Sequence, residues 1–430
     1  MEGGGVAALG EARTAAAPGL AAFSAFGVEL EYMIVDRVSL DVRRIADRVL
    51  QRLHGASGHP VSEVERGPVG WSNELVLHLL ELKNPRPTRD LASLASHFQA
   101  ELRAVRSVLG EFGARLMPGG MHPWMDAGAE TSLWPHEGSP VYRAYDAIFD
   151  CRRHGWANVQ AMHVNLPFAD DAEFERLHAA VRVLLPLVPG IAASSPFADG
   201  RSAGALDYRM EVYRTNSDRV PALAGMVVPH NYSSRAQYES RLLEPMYRAM
   251  GRHDPGRLLR HEWLNAHGAI ARFERNAIEI RVADVQEHAG ADIAVAALLV
   301  DAAWWLFAGG GPSLAAQQAL DTASLAGVLR ACARDGERAR IEDAALLRLF
   351  RVPGPACAAA DLWGAVAKDL ERAGAPHREL WRPRLERTLA QGTLARRLLA
   401  AAGSVPDRAA LASVYARLCD CLDDGRDFEP

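Results

Sequence analysis

Apolar and polar residues alternate along Phe26-Gly27-Val28-Glu29-Leu30-Glu31-Tyr32, the pattern of a strand with one face in a core. The same period predicts strands over 26–36, 73–82, 113–118, 158–166 and the pair 269–274 and 277–284. Arg275-Asn276 joins the last two as a hairpin turn. Helical periodicity covers 88–112 and 171–188, the first opened by Thr88 with Asp90 in its first turn. The strands come in runs broken by helices rather than in strict β-α alternation. That arrangement predicts an α+β fold with a mainly antiparallel sheet. Beyond about residue 290 the chain reads as almost all helix, rich in Ala, Leu and Arg, and is expected to pack on the sheet.

Composition narrows the picture. A chain of 430 residues, 49% hydrophobic and 23% charged, can bury a large core as one domain or two. A net charge of −5 argues against a broad nucleic-acid surface, and no nucleic-acid partner is expected. The Ala/Gly-rich start, residues 1–22, reads as a flexible segment. It lacks the basic-then-apolar order of a signal peptide. The most apolar window, Ile293 to Gly309, is interrupted by Asp301 and predicts a buried helix rather than a membrane span. Five scattered cysteines (Cys151, Cys332, Cys357, Cys419 and Cys421) have no metal-ligand spacing. They fit reduced thiols, so a soluble, cytoplasmic protein is expected.

Candidate chemistry lies on the polar faces of the strands. Glu29 and Glu31 are two apart, so on a strand they share a face about 6.5–7 Å from one another. Like charges so placed call for a nearby cation, and carboxylates suit a hard ion such as magnesium; a solvated strand face is the plainer alternative. Glu74 and Glu81 are seven apart, so they reach one site only if the segment between them bends. His163 and Asn165 share a face, as ligands or as hydrogen-bonded core residues. Glu279 and Arg281 form either an exposed ion-paired face or an acid beside an anion-binding guanidinium. Arg209 and Arg214, downstream of Ser194-Ser195-Pro196, are surface residues or anion clamps. The run from Met117 through Gly119-Gly120 to His122-Pro123 reads as a tight turn and a rigid loop.

The ordered series G-V-E-L-E (27–31), the E-L of Glu81-Leu82, the glycine turn followed by H-P, H-V-N (163–165), S-S-P with downstream arginines and I-E-I-R-V-x-D (278–284) resembles the glutamate–cysteine ligase family, in its carboxylate–amine ligase branch. The likeness covers about residues 23–310. It implies a glutamine-synthetase-like catalytic domain whose curved antiparallel sheet forms an active-site funnel, with helices on its outer face and a helical region over 311–430. It implies ATP and Mg2+, with Glu29, Glu31, Glu74, Glu81, His163 and Glu279 toward the metal and nucleotide. Arg281 and Arg209 become catalytic candidates, and Arg214 and Asn165 substrate-binding ones. Small-molecule substrates are implied: glutamate and an amine, cysteine by family default. A homo-oligomer is compatible with the pattern. Two departures bear on substrate identity. His163-Val164-Asn165-Leu166-Pro167 stands where many members have H-V-H-V-G, and Lys83-Asn84-Pro85 follows Glu81-Leu82 where a threonine is commoner.

Joining a carboxylate to an amine in water requires activation, which an acyl phosphate made from ATP supplies. Several acids for the cations and arginine forks for the phosphoryl oxygens serve that chemistry. No G-x-x-x-x-G-K-[ST] loop offers another phosphate cradle. A metal-dependent hydrolase and a non-catalytic nucleotide- or amino-acid-binding regulator are the competing readings. On the ligase reading, Glu29→Gln or Glu279→Gln is expected to abolish ATP turnover in an ADP-release assay with little loss of folding.

Overall fold

The computed structural model describes residues 19–55, 60–403 and 405–430. Residues 1–18 of the expected flexible start lie outside that range. Strand β1 (Gly27–Asp36) leads to helix α1 (Ala46–His54), then strands β2 (Glu63–Arg66), β3 (Val69–Asn73) and β4 (Leu79–Lys83). Helix α2 (Leu91–Glu111) and strand β5 (Ala114–Met117) follow, then α3 (Ser139–Phe149), β6 (Ala161–Pro167), α4 (Asp171–Leu184) and α5 (Tyr208–Thr215). Strands β7 (Ala269–Arg272) and β8 (Ala277–Asp284) close the sheet, and α6 (Ala289–Phe307) runs beneath it. The longer helices after it are α7 (Thr322–Asp335), α8 (Ala359–Ala373), α9 (Arg378–Gln391), α10 (Leu394–Ala402) and α11 (Arg408–Asp424).

The eight strands pair antiparallel in the order β2-β3-β4-β1-β6-β8-β7, with β5 also pairing β1. The fold is α+β with an open antiparallel sheet. Two expectations need correction. The predicted strand 73–82 is a hairpin: residues 74–78 turn between β3 and β4, and Val76 bridges to Leu133 instead. Asp90 is the cap of α2 rather than a first-turn residue. Its carboxylate accepts from the Ser93 amide at 3.0 Å, satisfying a helix-end donor, while Thr88 pairs with Phe26.

Sheet parity sets the two faces. Val28, Leu30, Tyr32, Ile34, Leu80, Leu82, Met162, Val164, Leu166, Ile278 and Ile280 bury into one core with α2, α4 and α6. The opposite positions of β1 change character along its length. Glu29 and Glu31 are polar, whereas Met33 and Val35 are fully buried in a second core with Met117, built from α10 and α11 through Leu394, Leu398, Leu411 and Leu418. Helix α6 is long and apolar enough to cross a membrane, but 83% of its most apolar window is buried in the protein.

Buried charge ties the last helices to the sheet. Glu287, just past β8, receives both terminal nitrogens of Arg384, at 2.7 and 2.8 Å, and lies 2.8 Å from Arg397 Nη2. Burial alone would raise this carboxyl, but the two guanidinium groups hold it well below the ordinary 4.5. A depressed folded value contributes stability above the unfolded one and loses it as pH falls through the folded value. Glu287→Gln is expected to cost about 3–5 kcal/mol at neutral pH, because it leaves Arg397 buried without a counter-charge and Arg384 with Asp427 alone, at 3.2 Å. Denaturant midpoints should show the gap persisting down to about pH 4.5 and narrowing only below it; equal midpoints at pH 7 would show that Glu287 is no such tie.

Candidate active site

Register brings the acids together. Residues directly opposite in an antiparallel pair share a face, and β1 sets Glu31 opposite Glu81 of β4 and Glu29 opposite His163 of β6. Glu279 of β8 lies opposite Asn165 of β6. Glu29 accepts from Asn165 Nδ2 at 3.1 Å, and its other oxygen is 3.1 Å from His163 Nδ1. His163 also lies 4.0 Å from oxygens of both Glu31 and Glu279. Ser72 Oγ donates to Glu81 at 2.8 Å, and Lys83 Nζ is 3.2 Å from the same oxygen. Glu31 accepts the Ala161 amide at 2.6 Å.

The electrostatics follow from crowding. Burial would raise the Glu29 carboxyl, yet His163, with help from Lys83 and Arg275, brings it down to about 2. Burial would lower His163, but its contact with Glu29 and the charge of Glu31 raise it. Glu74, in the β3–β4 turn, is pushed well up by burial and by Glu81 and Glu31. Glu81 is raised by burial and by Glu29, against the pull of Lys83 and Ser72. Two acids thus resist ionising beside a third that is fully charged, which is the mark of a deficit of positive charge.

A cavity of about 500 Å3 opens on this face. Glu31, Glu74, His163, Arg209 and Arg281 line it, with Tyr145, Trp156 and Trp263 among its walls. Glu279 sits behind the floor, 2% exposed, between Arg281 Nε at 2.8 Å and Arg272 Nη1 at 3.0 Å. It is not a solvent-facing carboxylate, so its removal also strips charge from two arginines. The expectation that Glu279→Gln spares folding therefore does not hold. Arg214 departs from the other candidates. It ends α5 on an exposed flank, paired with Glu211 at 3.0 Å, and does not line the cavity.

Arg209 lines the cavity from an anchored position. Its Nε donates to Asp284, Nη1 reaches the Arg281 carbonyl at 3.4 Å, and Nη2 is buried with no partner among the described residues. Asp284 reaches this face because β8 bulges between Ile280 and Ala283, one residue more than β6 supplies. The extra residue moves Asp284 opposite Ala161, onto the face of His163. There it also accepts from the Ser194 amide and Ser195 Oγ, at 2.7 and 2.8 Å. Asp284 is the last letter of the I-E-I-R-V-x-D series, but strand parity alone sets it on the core side, and nothing in sequence spacing marks Arg272; both reach the site through a pairing partner elsewhere in the chain.

The residues present fit a divalent cation. Glu29, Glu81 and His163 each offer a ligand atom, and the three atoms lie within 4.8 Å of one another. Donors across a magnesium ion are about 4 Å apart, so small side-chain shifts suffice. Asn165 Oδ1 is buried there with no partner among the described residues, a further oxygen open to a cation. Asp284→Asn is expected to lower stability by about 3–5 kcal/mol by leaving Arg209 buried and unpaired. A thermal or denaturant midpoint equal to that of the wild type would show that Asp284 does not hold it.

Comparison with known proteins places the chain in a family. The family model of glutamate-cysteine ligase family 2 (GCS2) matches residues 25–414. A protein of Archaeoglobus fulgidus named only "Uncharacterized protein" is 34% identical over 273 residues, 64% of this chain and 72% of that one. A Bradyrhizobium protein named "Putative glutamate--cysteine ligase 2" is 27% identical over 220 residues, 50% of this chain and 47% of its own length. Among solved structures, a bifunctional glutathione synthetase from Pasteurella multocida superposes with a TM-score of 0.51 at 14% identity, over 92% of this chain and 53% of that one. That likeness is one of fold. The chain spans about half the length of the ligase-named relative and of the synthetase. With the family match running over most of its length, the chain belongs to glutamate-cysteine ligase family 2.

Proposed function

We propose that the protein is an ATP-dependent carboxylate–amine ligase that forms a γ-glutamyl amide through an acyl phosphate. The observation that carries this reading is the convergence of Glu29, Glu81 and His163, from three strands, beside a cavity with arginine in its wall. On this reading the polar sheet face is the funnel, residues 23–310 are the catalytic unit and residues 311–430 pack on it. A glutamate γ-carboxylate oxygen bonds to the terminal phosphorus of ATP, and the bridging P–O bond breaks with its electron pair on ADP. An amine then bonds to the acyl carbon, the C–O bond to phosphate breaks, and the amine proton passes to the departing phosphate or to water.

Each group has a physical task. Arg281, steered by Glu279 and with its charge secured by it, faces the cavity as a fixed guanidinium for phosphoryl oxygens. The free Nη2 of Arg209 adds a second donor from a locked position. Asn165 and His163 orient the Glu29 carboxylate. Magnesium held by Glu29, Glu81 and His163, with Glu31 and Glu74 alongside, would supply the positive charge that phosphate oxygens and crowded acids both lack. Aromatic walls help exclude water from an intermediate that water would hydrolyse.

Glutamate, Mg-ATP and hydroxylamine test the reading, because hydroxylamine traps an acyl phosphate as a hydroxamate. Glu29→Gln keeps the shape and hydrogen-bonding reach of the side chain but loses the charge that His163 offsets, so its thermal midpoint should fall while circular dichroism shows it folded at the assay temperature. ADP release should fall by a factor on the order of 100 or more, the scale of one lost electrostatic contact in a transition state. ADP release near the wild-type rate in Glu29→Gln would sink the assignment. Chelation of divalent cations should abolish turnover and added magnesium restore it.

A further inference from the structure

A second and larger hollow, about 880 Å3, adjoins the acid-floored cavity. The two share Gly155, Trp156 and Asn216. This junction is tightly built: a Cβ on Gly155 would meet Val212 O of α5 at 2.7 Å and Asn216 Cβ at 2.9 Å, so glycine is needed where the wall meets α5. Beyond the junction the groove carries Arg152, Arg153, His154 and Arg408, with Trp124 beside them.

Its acids are already engaged. Asp199 pairs with His154 Nε2 at 3.0 Å, and Asp126 accepts the Ala129 amide at 3.0 Å. Arg408 bonds Asp41 and lies over the Trp124 ring, 4.5 Å from its centre. Arg153 donates to the carbonyls of Phe149 and Asp150, which take its hydrogens without cancelling its charge, and Asp150 Oδ2 is 3.8 Å away. Arg152 is exposed and makes no hydrogen bond or ion pair among the described residues. An uncommitted guanidinium in a groove that opens beside a reaction cavity is a site for an anion.

Resting on the ligase reading above, we propose that this groove is the acceptor subsite and that the acceptor is a short acidic peptide. Its amine enters the cavity past Trp156 while an anionic group several bonds away rests on Arg152 and Arg153. A free α-amino acid carries amine and carboxylate on one carbon, whereas a peptide sets several bonds between them and so reaches both the cavity and the groove beyond Gly155, Trp156 and Asn216. Arg152 and Trp156 are four positions apart, no more than about 14 Å even on an extended chain, and the helical turn His154–Ala157 shortens that to a span that a di- or tripeptide covers. The bond changes are those of the amide-forming step: the peptide amine bonds to the acyl carbon, and phosphate leaves with the C–O electron pair.

The test compares Gly-Gly-Glu, Gly-Gly-Gln and glycine as acceptors, with glutamate, Mg-ATP and the full-length protein, by ADP release and by mass of the product. The acidic peptide should show a kcat/KM at least tenfold above the other two, mainly through KM. Arg152→Ala should lower that value about tenfold for Gly-Gly-Glu while moving Gly-Gly-Gln less than twofold, and Arg152→Lys should recover part of the loss. Equal values for the acidic and neutral peptides, or an Arg152→Ala effect of the same size on both, would overturn the groove assignment. Hydroxylamine-dependent ADP release in the wild type would show that the ligase reading survives such a result. If hydroxylamine releases no ADP, the ligase reading falls, and tryptophan-fluorescence titration with the two peptides decides the groove alone: preference for Gly-Gly-Glu supports it, and no preference removes it.

Discussion

Five carboxylates (Glu29, Glu31, Glu74, Glu81 and Glu279) gather about one face of the sheet with Lys83, Arg272 and Arg281 as permanent cations and His163 as a conditional one. Water would keep such charges apart, and a half-buried sheet does not. The strain appears in opposite directions on neighbours: Glu29 is held ionised while Glu74 and Glu81 are pushed toward protonation. A protein that fixes this arrangement by backbone pairing has a place where added positive charge is favourable before any ligand arrives. Preorganised charge of this kind lowers barriers without reorganisation during reaction.

The rest of the fold keeps that face accessible and rigid. Only half of it is polar, because β1 turns from Glu29 and Glu31 to Met33 and Val35 along the same side. Helices α10 and α11 cover the apolar half, so the C-terminal region completes the second core while the acid half stays open to the cavity. Ion pairs lock the cover in place, Glu287 with Arg384 and Arg397 and Asp427 with Arg384, and His288 Nε2 lies 3.3 Å from Asp427. Buried pairs of this sort add little net stability over apolar packing, but they are costly to break singly, which makes them good fasteners.

The β8 bulge joins sheet to site. One extra residue reverses which side chains face the cavity beyond Ile280 and brings Asp284 to the His163 face. Asp284 then gathers Arg209, Ser194 and Ser195, so the helix that carries Arg209 is registered against the strand that carries Arg281. Asp207, pushed well up by burial and by Asp284, adds a second carboxyl to this knot.

Much of this was legible in one dimension. Alternation along 26–36 and 277–284 located two of the central strands and assigned Glu29, Glu31 and Glu279 to the face opposite the core, because side-chain direction in a strand follows parity alone. The order of weak motifs pointed to the family to which the chain belongs. Parity failed where the backbone leaves the regular ladder. Residues 73–82 looked like one strand and are a hairpin, and that bend is what lets Glu74 and Glu81 meet. Arg214 and Arg209 were indistinguishable as letters five apart, yet one side of a short helix faces solvent and the other a buried aspartate. Local sequence thus determined strand identity and which faces are charged, since both depend on nearest neighbours. Which charges share a pocket, and which arginine enters it, was decided by register and by one inserted residue, properties that exist only once distant strands pair.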